Sequence, residues 1–237
     1  MQAADARFTV RLEALSSRLG RRAPMANQIA ETIRDMIVAG ELNPGDRIVE
    51  SRFAREIGVG QPTVREALVA LEHEGLVVRK ANQGCVVTTL TRAEIGQILR
   101  IREELETLAM ELAIENAADA QIRKLLLVTD AMERAGRARD VREFFGLDVR
   151  FHETLWRLSG NSLLPRLLAQ ALMPLLAFLF IRNLRNHQQI DMKDSASAHV
   201  ELAEAILSRD KELARRVARA KFRMFAEDHL QWFEEGR

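Results

Sequence analysis

The sequence predicts a mainly α-helical chain with one small β-hairpin towards its N-terminal end and an all-helical bundle behind it. Three observations lead there. Apolar residues recur at helical spacing through most of the 237 residues, whereas strand-like alternation is confined to the part before residue 90. Hydrophobic residues make up 47% and charged residues 29%, with 5% aromatics and no Tyr, the balance of a folded helical protein rather than a disordered one. The length allows two modest cores, and the change of pattern supplies the boundary between them. The expected organisation is an extension over residues 1–23, a first domain over 24–90 and an all-α domain over 91–237.

Taken in order, the extension holds a short helical stretch, TVRLEALSSRL, and reads as a solvated lead-in. NQIAETIRDMIVAG sets Ile29, Ile33, Met36 and Ile37 on one face and stops at Gly40, which makes it an amphipathic helix. Pro44 and Gly45 mark a tight turn into a brief strand around Arg47 to Val49. In RFAREIGVGQPTVREALVAL, Phe53, Ala54, Ile57 and Val59 form one apolar face, and Val64, Ala67, Leu68 and Leu71 form the next. Small Ala54 allows a close approach and Gly58 supplies the turn backbone, so the pair reads as a helix-turn-helix. The alternating segments LVVRK and GCVVT, joined by Ala81 to Gly84, follow as a hairpin in the position of a wing.

With the second apolar face turned inward, Gln61, Thr63 and Arg65 point outward near the start of the second helix. Those positions reach base edges when such a helix enters a major groove. Arg65 has the fork for guanine, and Gln61 has the matching amide for adenine. Arg79 and Lys80, just before the hairpin tip, suit a phosphate backbone. The expected partner is therefore a double-stranded DNA operator. This expectation rests on placement, because the net charge is only +1, with 12 basic against 11 acidic residues before residue 90 and 23 against 23 after it.

The lone Cys85 excludes a disulfide framework within one chain and suits a reducing compartment. The start MQAADARFTV lacks the basic-then-apolar layout of a secretory leader, so a cytoplasmic location is expected. Residues 163 to 181, LLPRLLAQALMPLLAFLFI, are long enough to reach across a bilayer, but contain Pro165, Arg166, Gln170 and Pro174. A buried helix, kinked or broken near Pro174, is the expected structure, with no membrane partner.

In the second part, LDVRFHETL sets Asp148 and His152 one helical turn apart on the stripe of Phe144, Phe145, Phe151 and Leu155. An inward carboxylate needs a partner, either a cation or a metal ion. His199 falls on a stripe with Leu202, Ala203 and Ile206, and Lys221 on one with Ala214, Val217, Met224 and Phe225, so both are expected to face the same interior. Arg102 lies on the Ile98, Leu105, Ala109 stripe, where it is either a clamp for a carboxylate ligand or an i,i+4 partner of Glu106. The four polar positions Asp148, His152, His199 and Lys221 converging on one bundle interior point to a ligand site.

The segment from ELNPGDRIVE to GCVV resembles the winged helix of the GntR transcription regulators, through G-x-L-x-P-G at Gly40 to Gly45, V-R-E-A-L at Val64 to Leu68 and L-E-x-E-G-L at Leu71 to Leu76. Gly60 and Gln61 depart from the family's usual Ser or Thr followed by Arg, which leaves the operator sequence open. IREELE, FHETLWRLSGNSLLPRLL and HVELAEAIL, in that order across residues 93 to 232, resemble the FCD effector-binding domain of the FadR branch. That resemblance implies a divalent metal such as zinc held by Asp148, His152 and His199, with Lys221 where a fourth ligand usually stands. Either three ligands hold the ion, or Lys221 pairs with Asp148 and replaces it. It also implies that Arg102 contacts the effector. The resulting expectation is a homodimeric, ligand-responsive DNA-binding regulator, with repression as the expected sign and a small organic acid as effector. The alternatives are a metal-dependent hydrolase built on the helical bundle, although no H-E-x-x-H, G-x-S-x-G or phosphate-loop motif occurs, and a metal-free regulator responding to an acyl thioester.

Overall fold

The computed structural model describes residues 24–81, 83–186 and 191–231, so the lead-in expected over 1–23 lies outside the described residues. The chain divides into two compact units, one made of the residues up to Thr89 together with Ala177–Arg185, the other of Leu90–Leu176 and the residues from Asn186 on.

In the first unit, helix α1 (Met25–Val38) buries Ile29, Ile33, Met36 and Ile37, the face that its sequence spacing sets. Strand β1 (Arg47–Ile48), helix α2 (Glu50–Ile57) and helix α3 (Gln61–His73) follow. Gly58 closes α2 at φ 76, a left-handed conformation that a side chain would strain, and this lets the chain reverse within three residues. Helix α3 then lays Val64, Ala67, Leu68 and Leu71 into the core. Strands β2 (Val77–Lys80) and β3 (Gly84–Val87) form the hairpin, and β1 adds to its free edge in the order β1-β3-β2, all antiparallel. The register pairs Arg79 with Cys85 and Lys80 with Gly84, so both basic residues sit at the hairpin's turn end.

The second unit is helical. Helix α4 (Arg92–Asn116) starts at a reciprocal cap: Thr91 Oγ1 accepts from the Glu94 amide while the Glu94 carboxylate accepts from the Thr91 amide. It is followed by α5 (Asp119–Ala138), α6 (Val141–Leu158), α7 (Leu164–Asn186, of which Ala177–Arg185 belongs to the first unit), α8 (Met192–Leu207) and α9 (Lys211–Gln231). Helix α5 packs on α6 and α8, and α4 packs on α6 and α9. The approach of α5 to α8 depends on Gly136, where a Cβ would meet Met192 at 3.3 Å. Met110, Phe151, Leu155, Trp156 and Ile206 fill the interior.

Of the kink or break expected near Pro174, the break does not occur, and helix α7 runs on through the proline. Its Leu164–Leu184 stretch has a mean hydropathy of 1.8 and the length to cross a bilayer, but most of it is buried inside the protein, as befits a core helix. Packing by Leu168, Leu172, Leu175 and Leu176 offsets the hydrogen bond that proline cannot donate.

One side chain ties the far end of this bundle together. Arg209, in the α8–α9 connection, adopts φ 64 and donates through Nη1 to the Ile114 carbonyl and through Nη2 to the Ala117 carbonyl at 2.7 Å, while pairing with Asp119. It thus satisfies carbonyls that the end of α4 leaves without helical partners and binds the acidic first residue of α5. Replacing Arg209 with Ala is expected to lower unfolding stability by about 1–3 kcal/mol. Arg209→Gly should recover about 1 kcal/mol of that loss, because glycine tolerates the left-handed backbone. Urea unfolding of the two variants checks both the loss and the order.

Candidate functional site

Two sites were expected, and each lies within one unit. On the first, Gln61 opens α3 directly after Gly60 and is exposed, Thr63 is half-buried one turn in, and Arg65 is exposed. Arg79 projects from β2 with Lys80 beside it. A shallow cavity of about 270 Å³ brings Gln61 and Arg79 to one surface, together with Arg47, Glu50 and Gly84. Glu50, at the start of α2, organises that surface. Its carboxylate accepts from Arg65 Nε at 3.1 Å and Nη2 at 3.0 Å and lies 3.5 Å from Arg79 Nη1, while Arg79 Nε donates to Glu72 at 3.1 Å. The Arg65 hydrogen bond, followed by burial acting the other way and then the arginine charges, holds the Glu50 carboxyl below its ordinary value. Glu50 was not foreseen, since its partners lie 15 and 29 residues away and no periodicity links them. Cys85 is buried within strand β3, and burial pushes its thiol up to about 11, so it is a packing residue.

The second site lies inside the helical unit, and its hub is Glu106 on α4, with no exposed surface. Its Oε1 accepts from His152 Nδ1 at 2.6 Å and from Trp156 Nε1 at 2.8 Å, both on α6, and its Oε2 accepts from Arg102 Nε at 2.8 Å. Burial pushes the Glu106 carboxyl upward, but the attraction of His152 and Arg102 and their hydrogen bonds prevail and hold it well below the carboxylate range. The sequence showed Glu106 only as a possible partner of Arg102. The signal was present, since Ile95, Leu99, Arg102, Glu106 and Ala109 form one buried stripe.

This hub fixes the orientation and tautomer of His152. A carboxylate only accepts, so Nδ1 carries the proton; Arg102 Nη2, 3.1 Å from Nε2, only donates, so Nε2 carries the lone pair. His199 on α8 is oriented by its Nδ1, which donates to the Ser195 carbonyl at 2.7 Å. Its Nε2 then points at Asp148 Oδ1, 3.0 Å away, and at His152 Nε2, 3.4 Å away. The remaining side of the triangle, His152 Nε2 to Asp148 Oδ1, is 4.0 Å. Burial raises the Asp148 carboxyl, while the hydrogen bond and charge of His199, then the charges of His152 and Arg102, outweigh it and leave the group below its ordinary value.

Asp148, His152 and His199 therefore converge, as their spacing suggested, and they are a potential metal-ligand trio. The point equidistant from the three facing atoms lies about 2 Å from each, the length of zinc–nitrogen and zinc–oxygen bonds. Each histidine also binds a backbone or side-chain acceptor through its other nitrogen, the arrangement that orients metal-ligating imidazoles. The donor set fits a divalent ion.

Lys221 does not join them. Its Nζ donates to Glu201 at 2.8 Å on the outside of the bundle, so it neither pairs with Asp148 nor completes the ligand set. The inward stripe of α9 is Ala214, Ala218 and Phe222, and Met224 is 56% exposed. The expected stripe was out of phase by one residue, about 100° of helix. Arg102 does reach the centre. Its guanidinium lies over the rings of Phe222 and Phe225, 5.0 and 4.6 Å from their centroids, and its buried Nη1 has no hydrogen-bond partner among the described residues. The two readings of Arg102 are compatible: Nε pairs with Glu106, which leaves the Nη edge facing elsewhere.

A winged helix-turn-helix followed by a helical domain with a buried Asp–His–His trio defines a class, the bacterial transcription regulators that join a DNA-reading unit to a ligand-binding one. The chain belongs to the gntR family within it: residues 25–87 match the family described as "Bacterial regulatory proteins, gntR family", and residues 97–223 match the FCD domain. It is 29% identical over 221 residues to the uncharacterised HTH-type transcriptional regulator YdhC of Bacillus subtilis, covering 93% of this chain and 97% of that one. It is 32% identical over 141 residues to the gluconate operon transcriptional repressor of Bacillus licheniformis, covering 60% and 58%. The fold is similar to that of Escherichia coli McbR/YncC, with a TM-score of 0.69 at 20% identity over 90% of this chain and 99% of that one.

Because three donors from two helices share the Glu106 carboxylate, Glu106→Ala is expected to destabilise the helical unit by about 3–5 kcal/mol, with an uncompensated Arg102 left inside. Glu106→Gln, which keeps an acceptor oxygen, should lose less. Denaturant titrations monitored by Trp fluorescence would show it, and an Ala variant as stable as the parent would remove Glu106 from its central place.

Proposed function

We propose that the protein is a cytoplasmic homodimer that binds a near-palindromic DNA operator through its paired winged helices and represses transcription. Occupation of the helical domain by a small organic acid then alters operator affinity. The observation that carries this reading is Arg102: a guanidinium 5% exposed, beside the Asp148–His152–His199 trio, with one nitrogen that no described residue satisfies. A buried donor without an acceptor is costly, and a carboxylate is the group whose geometry fits it. The same trio is proposed to hold a divalent ion such as zinc, a Lewis acid to which the effector's oxygens can bind. The chain's own residues hold the ion's position, exclude water and anchor the acid.

On the DNA side, Gln61 and Arg65 are proposed to read base edges, with Thr63, Arg79 and Lys80 on phosphates. Glu50 stands in for DNA in the free protein, since a phosphate or base that takes Arg65 must displace that carboxylate. A hydrolase reading needs a free base beside the ion's open position. Glu106, the fully buried carboxylate beside the trio, already accepts from three donors, which disfavours it. The polar trio also favours a small acid over an acyl thioester.

Two measurements test the proposal. Operator fragments selected from the native protein's genomic targets, followed by fluorescence anisotropy with a panel of small carboxylic acids, should give an acid-dependent change in affinity. Arg102→Ala should abolish that change while leaving affinity for DNA intact. Selection from a randomised operator library should show a shifted base preference for Gln61→Arg; an identical preference would exclude Gln61 as a base reader.

A further inference from the structure

Arg102 occupies the lone pair that an ion in the trio would need. Its Nη2 lies 3.1 Å from His152 Nε2, the same atom that forms a corner of the Asp148–His152–His199 triangle. An imidazole nitrogen has one lone pair in the ring plane, which either accepts a hydrogen bond or binds an ion, and cannot do both. A guanidinium this close to a divalent ion is also strongly repelled by it inside a bundle of low dielectric. The chain thus has an internal cation at its metal site, and it is Arg102 rather than Lys221, whose Nζ is engaged with Glu201.

We infer that Arg102 and a divalent ion exclude each other at His152 Nε2, so that Arg102 acts as a built-in competitor weakening ion binding until an acid draws its guanidinium away. The geometry supplies the means. Nε is anchored to Glu106, Nη2 is engaged with His152, and Nη1 is buried without a partner among the described residues. A carboxylate that accepts from the Nη1–Nη2 edge must take Nη2 from His152, freeing the lone pair for the ion. Acid and ion then strengthen each other's binding, and by linkage the effect is reciprocal. The acid half of this inference rests on the proposed role of Arg102 as effector anchor; the exclusion itself rests only on the two claims to one lone pair.

The test uses the full chain after chelation, titrated with zinc alone by calorimetry, with bound zinc measured directly and folding checked by circular dichroism. Arg102→Lys keeps a cation within reach of Glu106 but is too short to reach His152 Nε2, and Arg102→Gln serves as a second, neutral variant. The expected result is that either variant binds one zinc roughly tenfold or more tightly than the native chain, the gain from removing one charge-assisted hydrogen bond. Adding Asp148→Asn should abolish this binding. Native chain titrated in acetate or benzoate, which chelate zinc poorly, should also bind zinc more tightly. If zinc binds the native chain and both Arg102 variants equally, the exclusion is wrong while the ion site stands. Binding by none of them overturns the ion site and the inference together. If the variants tighten binding but neither monocarboxylate affects the native chain, the exclusion stands and Arg102 loses its role as acid anchor.

Discussion

The helical unit is organised around a carboxylate with no access to water. Glu106 can stay ionised there only because Arg102, His152 and Trp156 surround it with donors, and meeting that requirement ties α4 to α6 at a defined depth and rotation. The consequences spread outward from there. Glu106 accepts a hydrogen bond from His152 Nδ1, which turns the Nε2 lone pair towards Asp148 and His199, and it anchors Arg102 by Nε, which sets the rest of the guanidinium between that lone pair and the Phe222 and Phe225 rings. The polar centre is in effect a shell of groups oriented by one buried charge.

On the DNA-reading unit the logic runs the other way. Its core is apolar, and its function-bearing groups lie on the surface, where Glu50 holds Arg65 and Arg79 in solvent-exposed pairs. Exposed pairs of this kind contribute little to stability. They do place two arginines on one face ahead of any nucleic acid, and they yield to a phosphate readily because they are weak. A buried network suits ligand recognition and a loose exposed one suits DNA, and the chain keeps the two in separate units.

Much of this was legible beforehand. The helix-turn-helix, its Gly58 turn and the wing follow from local spacing and turn chemistry, because a short helix pair and a tight hairpin are set by residues close in sequence. The Asp148–His152 pair was legible for the same reason, and His199 was placed correctly because its stripe of Leu202, Ala203 and Ile206 is unambiguous. The stripe of α9 was not. With Val217, Ala218, Lys221, Phe222, Met224 and Phe225 all near one side, two phases one residue apart fit about equally well, and the wrong one turned Lys221 inward. A helix kinked or broken near Pro174 was expected, and packing carries the helix through without a break.

The sequence by itself determined which residues carry chemistry and on which element each one lies, since helical and strand periodicities are local properties. Only the tertiary structure decided which of them meet. Glu50 with Arg65 and Arg79, Glu106 with His152 and Trp156, and Arg102 with Phe222 and Phe225 join residues from 15 to over 100 positions apart. Their pairing depends on how helices rotate and slide against one another. Packing and the need to neutralise buried charge settle that rotation, and a one-residue change of phase is enough to exchange a lysine for a phenylalanine at the site.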